Sequence, residues 1–288
     1  MAQVFTRRTI VAGAAASALA APALADAADR LAALEVSVGG RLGVAALDLA
    51  SGATLTHREG ERFAMCSTFK AMAVAALLAR VDRGAEHLDR FVSFSEADLL
   101  PYAPIAKGHV SAGGMRVGEL CAAAVEFSDN TAANLVLAAI GGPAGWTGFV
   151  RSMGDAVSRL DRTEPTLNTA IPGDARDTTT PLAMLSDLRL VALGKVLSSA
   201  SRDLLVGWMV GCQTGKARLR AGLPASWRVG DKTGTGDHGM ANDIAVAWAP
   251  SGPIVIASYL SAEHADGPTR DHVQAEVGRT VAEAFRHG

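Results

Sequence analysis

Three short groupings of polar residues stand out from a chain that is largely apolar. Ser67-Thr68-Phe69-Lys70 sets a hydroxyl and an amine three residues apart, and the residues that follow, Ala71 to Ala79, are all apolar. A helix of that composition is buried on every side. Positions three apart share one helix face, so the Lys70 amine is expected within reach of the Ser67 hydroxyl. A serine is a weak nucleophile until a base takes its proton, and a lysine stripped of water has its pKa pushed down and can be that base. Ser128-Asp129-Asn130 offers a hydroxyl able to relay a proton and an amide able to hold a carbonyl. Lys232-Thr233-Gly234 offers a cation, a hydroxyl and a bare backbone at an expected strand end, which suits an extended substrate bearing a carboxylate. Singly, each has an ordinary structural reading: a cap serine with a snorkelling lysine, a polar cap for the helix from Asn130, a plain strand end.

The elements that must position these groups follow from periodicity. A helix is expected over Ala27–Val38, then strands over Arg41–Asp48 and Ala53–His57 joined by Leu49-Ala50-Ser51-Gly52. From Thr68 to about Leu205 the pattern is helical, with apolar residues at three- and four-residue spacing in Thr68–Val81, Val117–Phe127, Asn130–Ile140, Ala144–Met153 and Leu182–Leu193. One long irregular stretch, Leu160–Pro181, interrupts it. Strands return at Ser226–Thr233, Ile244–Ala249 and Ile254–Leu260, before a last helix near Arg270–Arg286. The fold class is therefore α+β: one antiparallel sheet built from both chain ends, with flanking helices and an inserted all-helical domain. The expected division is 26–60 with 212–288 for the sheet domain and 61–211 for the helical one. The ligand is expected in the cleft between them.

Together, and in the order S-x-x-K, S-D-N, K-T-G, the three groupings resemble the penicillin-recognising serine enzymes, the β-lactamases and penicillin-binding proteins. The likeness covers essentially the whole chain after its leader. Arg162-Thr163-Glu164-Pro165-Thr166-Leu167-Asn168 resembles the Ω-loop of the class A β-lactamases, here 162–177, whose neck an Arg162–Asp177 ion pair would close. The resemblance implies Ser67 as nucleophile, and Lys70 or Glu164 as the base for acylation. Glu164 would be the base for deacylation, with Asn168 orienting its water and Pro165 permitting a cis bond that aims Glu164 inward. It implies Ser128 as proton donor to the leaving nitrogen and Asn130 as partner of the acylamino side chain. The N–H groups of Ser67 and Thr235 would form the oxyanion hole. Lys232, Thr233, Gly234 and Thr235 would hold the carboxylate, and Tyr102 would wall the cleft mouth. Where many members carry an arginine this chain has Ala241, and Arg218 matches the place from which others supply that charge. Cys66 resembles the cysteine of carbapenem-hydrolysing members, but Gly236 stands at its partner's position, so no disulfide is expected there and carbapenem activity stays open.

The remaining features bound the reading. In 288 residues, 27 Lys+Arg stand against 29 Asp+Glu with no run of five like charges, and aromatics make up 5%. Neither nucleic acid nor an anionic membrane surface is suggested. Arg7 and Arg8, an apolar run from Ile10 to Ala21 and Ala23-Leu24-Ala25 read as a signal peptide over 1–25. Its Thr6-Arg7-Arg8-Thr9-Ile10-Val11 start favours twin-arginine export to the periplasm over a Sec signal with two arginines. Cys66, Cys121 and Cys212 are expected as buried free thiols. Gly234-Thr235-Gly236-Asp237-His238-Gly239 fits a glycine-rich hairpin, because a strand and not a helix follows it. The seven His show no ligand spacing, so no metal or cofactor is expected. The partner is a small β-lactam, with no membrane anchor after the leader, and the chain is taken as a monomer. The rival readings are a soluble D,D-peptidase or penicillin-binding protein, which would not need Glu164 with Asn168, and a β-lactam sensor that stays acylated.

Overall fold

The structure, a computed structural model, describes residues 12–286, with side-chain surroundings from residue 23. Residues 1–11, including Arg7 and Arg8 of the expected leader, lie outside the described residues. Helix α1 (Ala12–Val38) leads into strands β1 (Arg41–Asp48), β2 (Thr54–His57) and β3 (Phe63–Ala64). The helical stretch contains α2 (Phe69–Asp82), β4 (Phe91–Ser93), β5 (Gly114–Arg116), α3 (Val117–Glu126), α4 (Asn130–Ala139) and α5 (Gly142–Ser152). It continues through β6 (Thr178–Thr179), α6 (Pro181–Ala192), α7 (Ser199–Val210) and the single turn α8 (Leu219–Gly222). The chain returns to the sheet through β7 (Arg228–Gly236), β8 (Met240–Ala249) and β9 (Gly252–Ser261), and α9 (Gly267–Ala284) follows.

The five-stranded sheet runs β2-β1-β9-β8-β7 with every pairing antiparallel. The first two strands thus join the last three, as the sequence pattern implies. Both faces are covered, which is why β9 reads as a nearly unbroken apolar run with no polar alternation. Ile254, Ile256 and Leu260 pack with Leu31 of α1 and Val273, Val277 and Val281 of α9. Val255, Ala257 and Tyr259 pack on the other side with α2 and α6. β7 is an edge strand, free to pair with something outside the sheet.

Two differences from the sequence reading bear on the site. The region between the chain ends is not purely helical, since β3 pairs with β6 and β4 with β5 in two short antiparallel ribbons. And Lys232-Thr233-Gly234 lies inside β7, which extends to a Gly236↔Met240 pair, beyond the expected stop at Thr233. The glycines resemble strand breakers but answer close approach. A Cβ at Gly234 would come 2.7 Å from the Met65 carbonyl oxygen, and one at Gly236 would come 2.6 Å from that of Asn168. Helix α7, not singled out from the sequence, starts at the cap Ser198, whose hydroxyl accepts from Ser201 N–H.

Candidate active site

The nucleophile candidate enters on a turn of 3-10 helix, Cys66–Thr68, that runs straight into α2. Cys66 takes a left-handed backbone (φ +46°), a conformation costly for a residue with a Cβ and held by its surroundings. Asn242, fully buried on β8, donates to the carbonyls of Ala64 and Met65. The N–H of Met65 donates to the carbonyl of Asp177. The backbone ahead of Ser67 is thereby tied both to the sheet and to the neck of the 162–177 loop.

The Ser67 hydroxyl donates to Glu164 Oε1 at 2.9 Å. Lys70 reaches the same oxygen, its Nζ 3.0 Å away, with both side chains buried. The Lys70 ammonium also donates to Asn130 Oδ1 (2.6 Å) and to Ser128 through its carbonyl oxygen (2.8 Å) and Oγ (3.3 Å). Among the described residues no hydrogen bond joins Lys70 to Ser67 directly: the two meet at Glu164 Oε1, which takes the hydroxyl proton's bond. Burial pushes the Lys70 amine below its ordinary range, and the Glu164 charge works against that shift.

In Ser128-Asp129-Asn130, the three side chains divide the labour. Asp129 is the cap of α4: it accepts from Ala132 N–H and, with its other oxygen, from Ile105 and Ala106 N–H. Capping is thus served by the middle residue, which leaves Ser128 and Asn130 for the cleft. Ser128 sits at φ +57°. Its Oγ accepts from Lys70 Nζ at 3.3 Å and from Lys232 Nζ at 3.0 Å. With both lone pairs taken by ammonium groups, its one proton is left to point into the cleft. Lys232 is pushed down to about 8, mainly by burial, with Lys70 adding to the shift.

Glu164 is held at main chain and side chain. Asn134, one turn beyond Asn130 on the same face of α4, accepts from the Glu164 N–H (3.0 Å) and donates to its carbonyl (2.9 Å). Asn168 returns on a 3-10 turn and donates to Glu164 Oε2. Its Oδ1 is buried with no partner among the described residues. The Glu164–Pro165 bond is cis. The loop neck is closed as expected: Arg162 Nε donates to Asp177 Oδ2, while Asp177 Oδ1 accepts from Asp161 and Arg162 N–H.

The edge strand completes the cleft. Gly234 packs against the nucleophile turn, where a Cβ would lie 3.2 Å from Ser67 N. Arg218, just ahead of α8, is nine-tenths buried and uses nearly every donor it has. Nη1 donates to the carbonyls of Gly234 and Asn242, which are register partners, Nη2 donates to Thr235 Oγ1 (2.8 Å), and Nε donates to Asp271 (2.8 Å). Its charge therefore reaches the cleft largely through Thr235. Ala241, opposite Thr235, is buried and carries no such charge. Tyr102 enters through its carbonyl, which accepts from Asn130 N–H, while the residue is half exposed at the rim. Cys66, Cys121 and Cys212 are buried and free. Ser67, Lys70, Ser128, Asn130, Glu164, Asn168 and Lys232 thus form one connected network. Asn134, Asn242 and Asp271 are the supporting residues that the motifs alone do not disclose. Asn134 was findable by its four-residue spacing from Asn130; the other two depend on register and on α9.

Known proteins of one family match this chain. A family model described as "Beta-lactamase enzyme family" matches residues 26–285. β-Lactamase CTX-M-97 of Escherichia coli is 50% identical over 257 residues, covering 89% of this chain and 88% of that protein. β-Lactamase AST-1 of Nocardia asteroides is 49% identical, covering 89% of this chain and 83% of that protein. Among solved structures, an ancestral (GNCA) class A β-lactamase superposes with a TM-score of 0.88 at 59% identity, over 90% of this chain and all of that one. A putative class A β-lactamase, PenP of Rhodopseudomonas palustris, gives 0.88 at 52% identity, over 90% of this chain and 100% of that one.

Proposed function

The chain belongs to the β-lactamase enzyme family, in its class A branch, and we propose from that premise how its cleft opens and hydrolyses the ring of a penicillin- or cephalosporin-type antibiotic. It is a β-lactam hydrolase, of the kind that confers resistance. Ser67 Oγ attacks the lactam carbonyl as its proton passes to Glu164, onto which the hydroxyl already donates. Lys70, 3.0 Å from the same oxygen, holds that carboxylate in place. The N–H groups of Ser67 and Thr235 receive the developing oxyanion, and the close packing of Gly234 on the nucleophile turn supports that pairing. As the C–N bond breaks, Ser128 gives its outward proton to the ring nitrogen and is resupplied from Lys70, which takes the proton from Glu164 in turn and so leaves the carboxylate free to act as a base again.

In the second half the acyl-serine ester meets water. Glu164 and the unpartnered Oδ1 of Asn168 are two acceptors side by side, which is what orients a water and takes its proton. Asn130 holds the acylamino group, and Lys232, Thr233 and Thr235, with Arg218 behind, hold the ring carboxylate. Tyr102 walls the mouth. The chain is taken to act as a monomer. The leader supports export to the periplasm by the twin-arginine route, with removal of 1–25. The sheet strands fall within 26–60 and 212–288, which supports that division against 61–211 with its Ω-loop 162–177.

The observation that carries the mechanism is Asn168 held on Glu164 Oε2 with its own buried Oδ1 unpartnered, since an enzyme that only acylates has no use for a second acceptor that holds water beside Glu164. The test is a time course of benzylpenicillin absorbance with substrate in large excess over mature protein. Linear loss over many equivalents is expected. A burst of one equivalent followed by silence would refute rapid deacylation.

A further inference from the structure

The loop between α7 and α8 holds a pair of side chains that none of the roles above uses. Thr214 Oγ1 lies 2.6 Å from Thr233 Oγ1, and on its other side the buried Cys212 Sγ lies 3.4 Å away. Thr233 is almost fully buried, so its hydroxyl cannot trade Thr214 for bulk water at will. Each of the three groups has one proton to give and can also accept. With nothing bound, the row can be polarised in either direction.

A carboxylate removes that freedom, because it only accepts. To hold one, Thr233 must turn its single proton toward it. Its oxygen must then accept from Thr214, because the two hydroxyls share one hydrogen bond and Thr233 has no second proton to give. We propose that Thr214 is a positioning residue for the substrate carboxylate: it sets the direction of a donor row, Thr214 O–H to Thr233 O–H, that ends on the ring carboxylate. Each donor in such a row strengthens the next. This rests on the reading of Thr233 as a carboxylate ligand, and it adds a residue that the K-T-G motif does not contain.

The test compares Thr214→Val, which keeps shape and removes the proton, with Thr214→Ser, which restores it, on benzylpenicillin and on its methyl ester. For Thr214→Val, KM for the acid is expected to rise about 3- to 10-fold, with kcat within about twofold and the ester handled as by the unchanged protein. Thr214→Ser should return KM to its starting value. Thr233→Val separates the two layers of the reasoning. If it raises KM for the acid while Thr214→Val does not, the donor row is overturned and the carboxylate reading survives. If Thr233→Val also leaves KM unchanged, the carboxylate reading itself has failed and the row falls with it. Equal losses on acid and ester in Thr214→Val would mark a merely structural role and overturn the proposal.

Discussion

Replacing Glu164 by alanine should divide the two halves of the reaction. The carboxylate is 3.0 Å from the Lys70 ammonium, and both are buried. At an effective dielectric of about 20, that separation is worth on the order of 5 kcal/mol of attraction. Without it, the main opposition to the desolvation that already pushes the Lys70 amine down is gone, so the side chain gives up its proton more readily and can serve as a base one helical turn from Ser67. Acylation should therefore fall by no more than about tenfold, since a base remains for the serine proton. Deacylation has no such substitute: the water loses its base, and Asn168 loses the carboxylate it donates to. A positioned general base contributes about 10²- to 10⁴-fold, so the ester should outlive its formation and accumulate. Intact mass after mixing with benzylpenicillin should show one adduct per chain, and the absorbance trace should stop after one equivalent. Unchanged turnover with no adduct would remove Glu164 from the mechanism. Acylation lost as completely as deacylation, again with no adduct, would show that Lys70 cannot take over the serine proton.

Three further outcomes are expected. Arg218→Ala should raise KM for substrates with the ring carboxylate by about 10- to 100-fold, from the loss of a charged donor worth roughly 1.5–3 kcal/mol. It should also lower Tm, since Gly234, Asn242 and Asp271 lose their donor together. Arg218→Lys should not restore KM, because a point charge cannot serve that fork. With Lys232 pushed down to about 8, kcat/KM for carboxylate substrates should decline above about pH 8, by up to tenfold per unit, as the cation is lost; a flat profile to pH 10 would contradict this. Asp187 of α6 faces Asp155 and is pushed up to about 8, first by burial and then by that neighbour's charge. The folded state then holds a proton that the unfolded state lacks between about pH 4 and 8, so stability falls across that window. Asp187→Asn should gain on the unchanged protein as pH rises through it and level off above about 8, each kcal/mol reading as about 2–4 °C in Tm.

How far the site was legible depends on whether a residue acts through its side chain or through what it does to backbone. Ser67, Lys70, Ser128, Glu164 and Lys232 announce themselves because charged and hydroxyl groups beside apolar runs demand a reason. The sheet was legible for a related cause: burial on both faces leaves β8 and β9 too apolar to be anything but interior strands. The extension of β7 past Thr233 was not. Gly234 and Gly236 carry the local signal of a stop, and only the approach of Met65 and Asn168 explains why a strand continues through them. The link between Ser67 and Lys70 has the same character. Helix spacing brings the two side chains near each other, but the oxygen that bonds both comes from a loop 97 residues away, and no local period encodes that.

Long-range insertion of this kind also explains the shape of the supporting shell. The groups that touch the reacting atoms come from the turn before α2, the start of α4, the 162–177 loop and β7, four segments with no common hydrogen-bond ladder. Something must fix their spacing to a few tenths of an ångström, and packing of apolar side chains is not directional enough to do it alone. The structure uses buried amides and carboxylates aimed at main chain instead. Asn134 grips both sides of the Glu164 peptide unit, Asp129 gathers three N–H groups, and Asn242 holds Ala64 and Met65 while accepting from Leu260. Each is a short polar side chain with its donors or acceptors satisfied, so each is stabilising where an apolar replacement would strand two or more buried backbone groups. Catalytic side chains can then be exchanged singly without losing the cleft. The amides that hold the backbone cannot, and their substitution should reach activity and stability together.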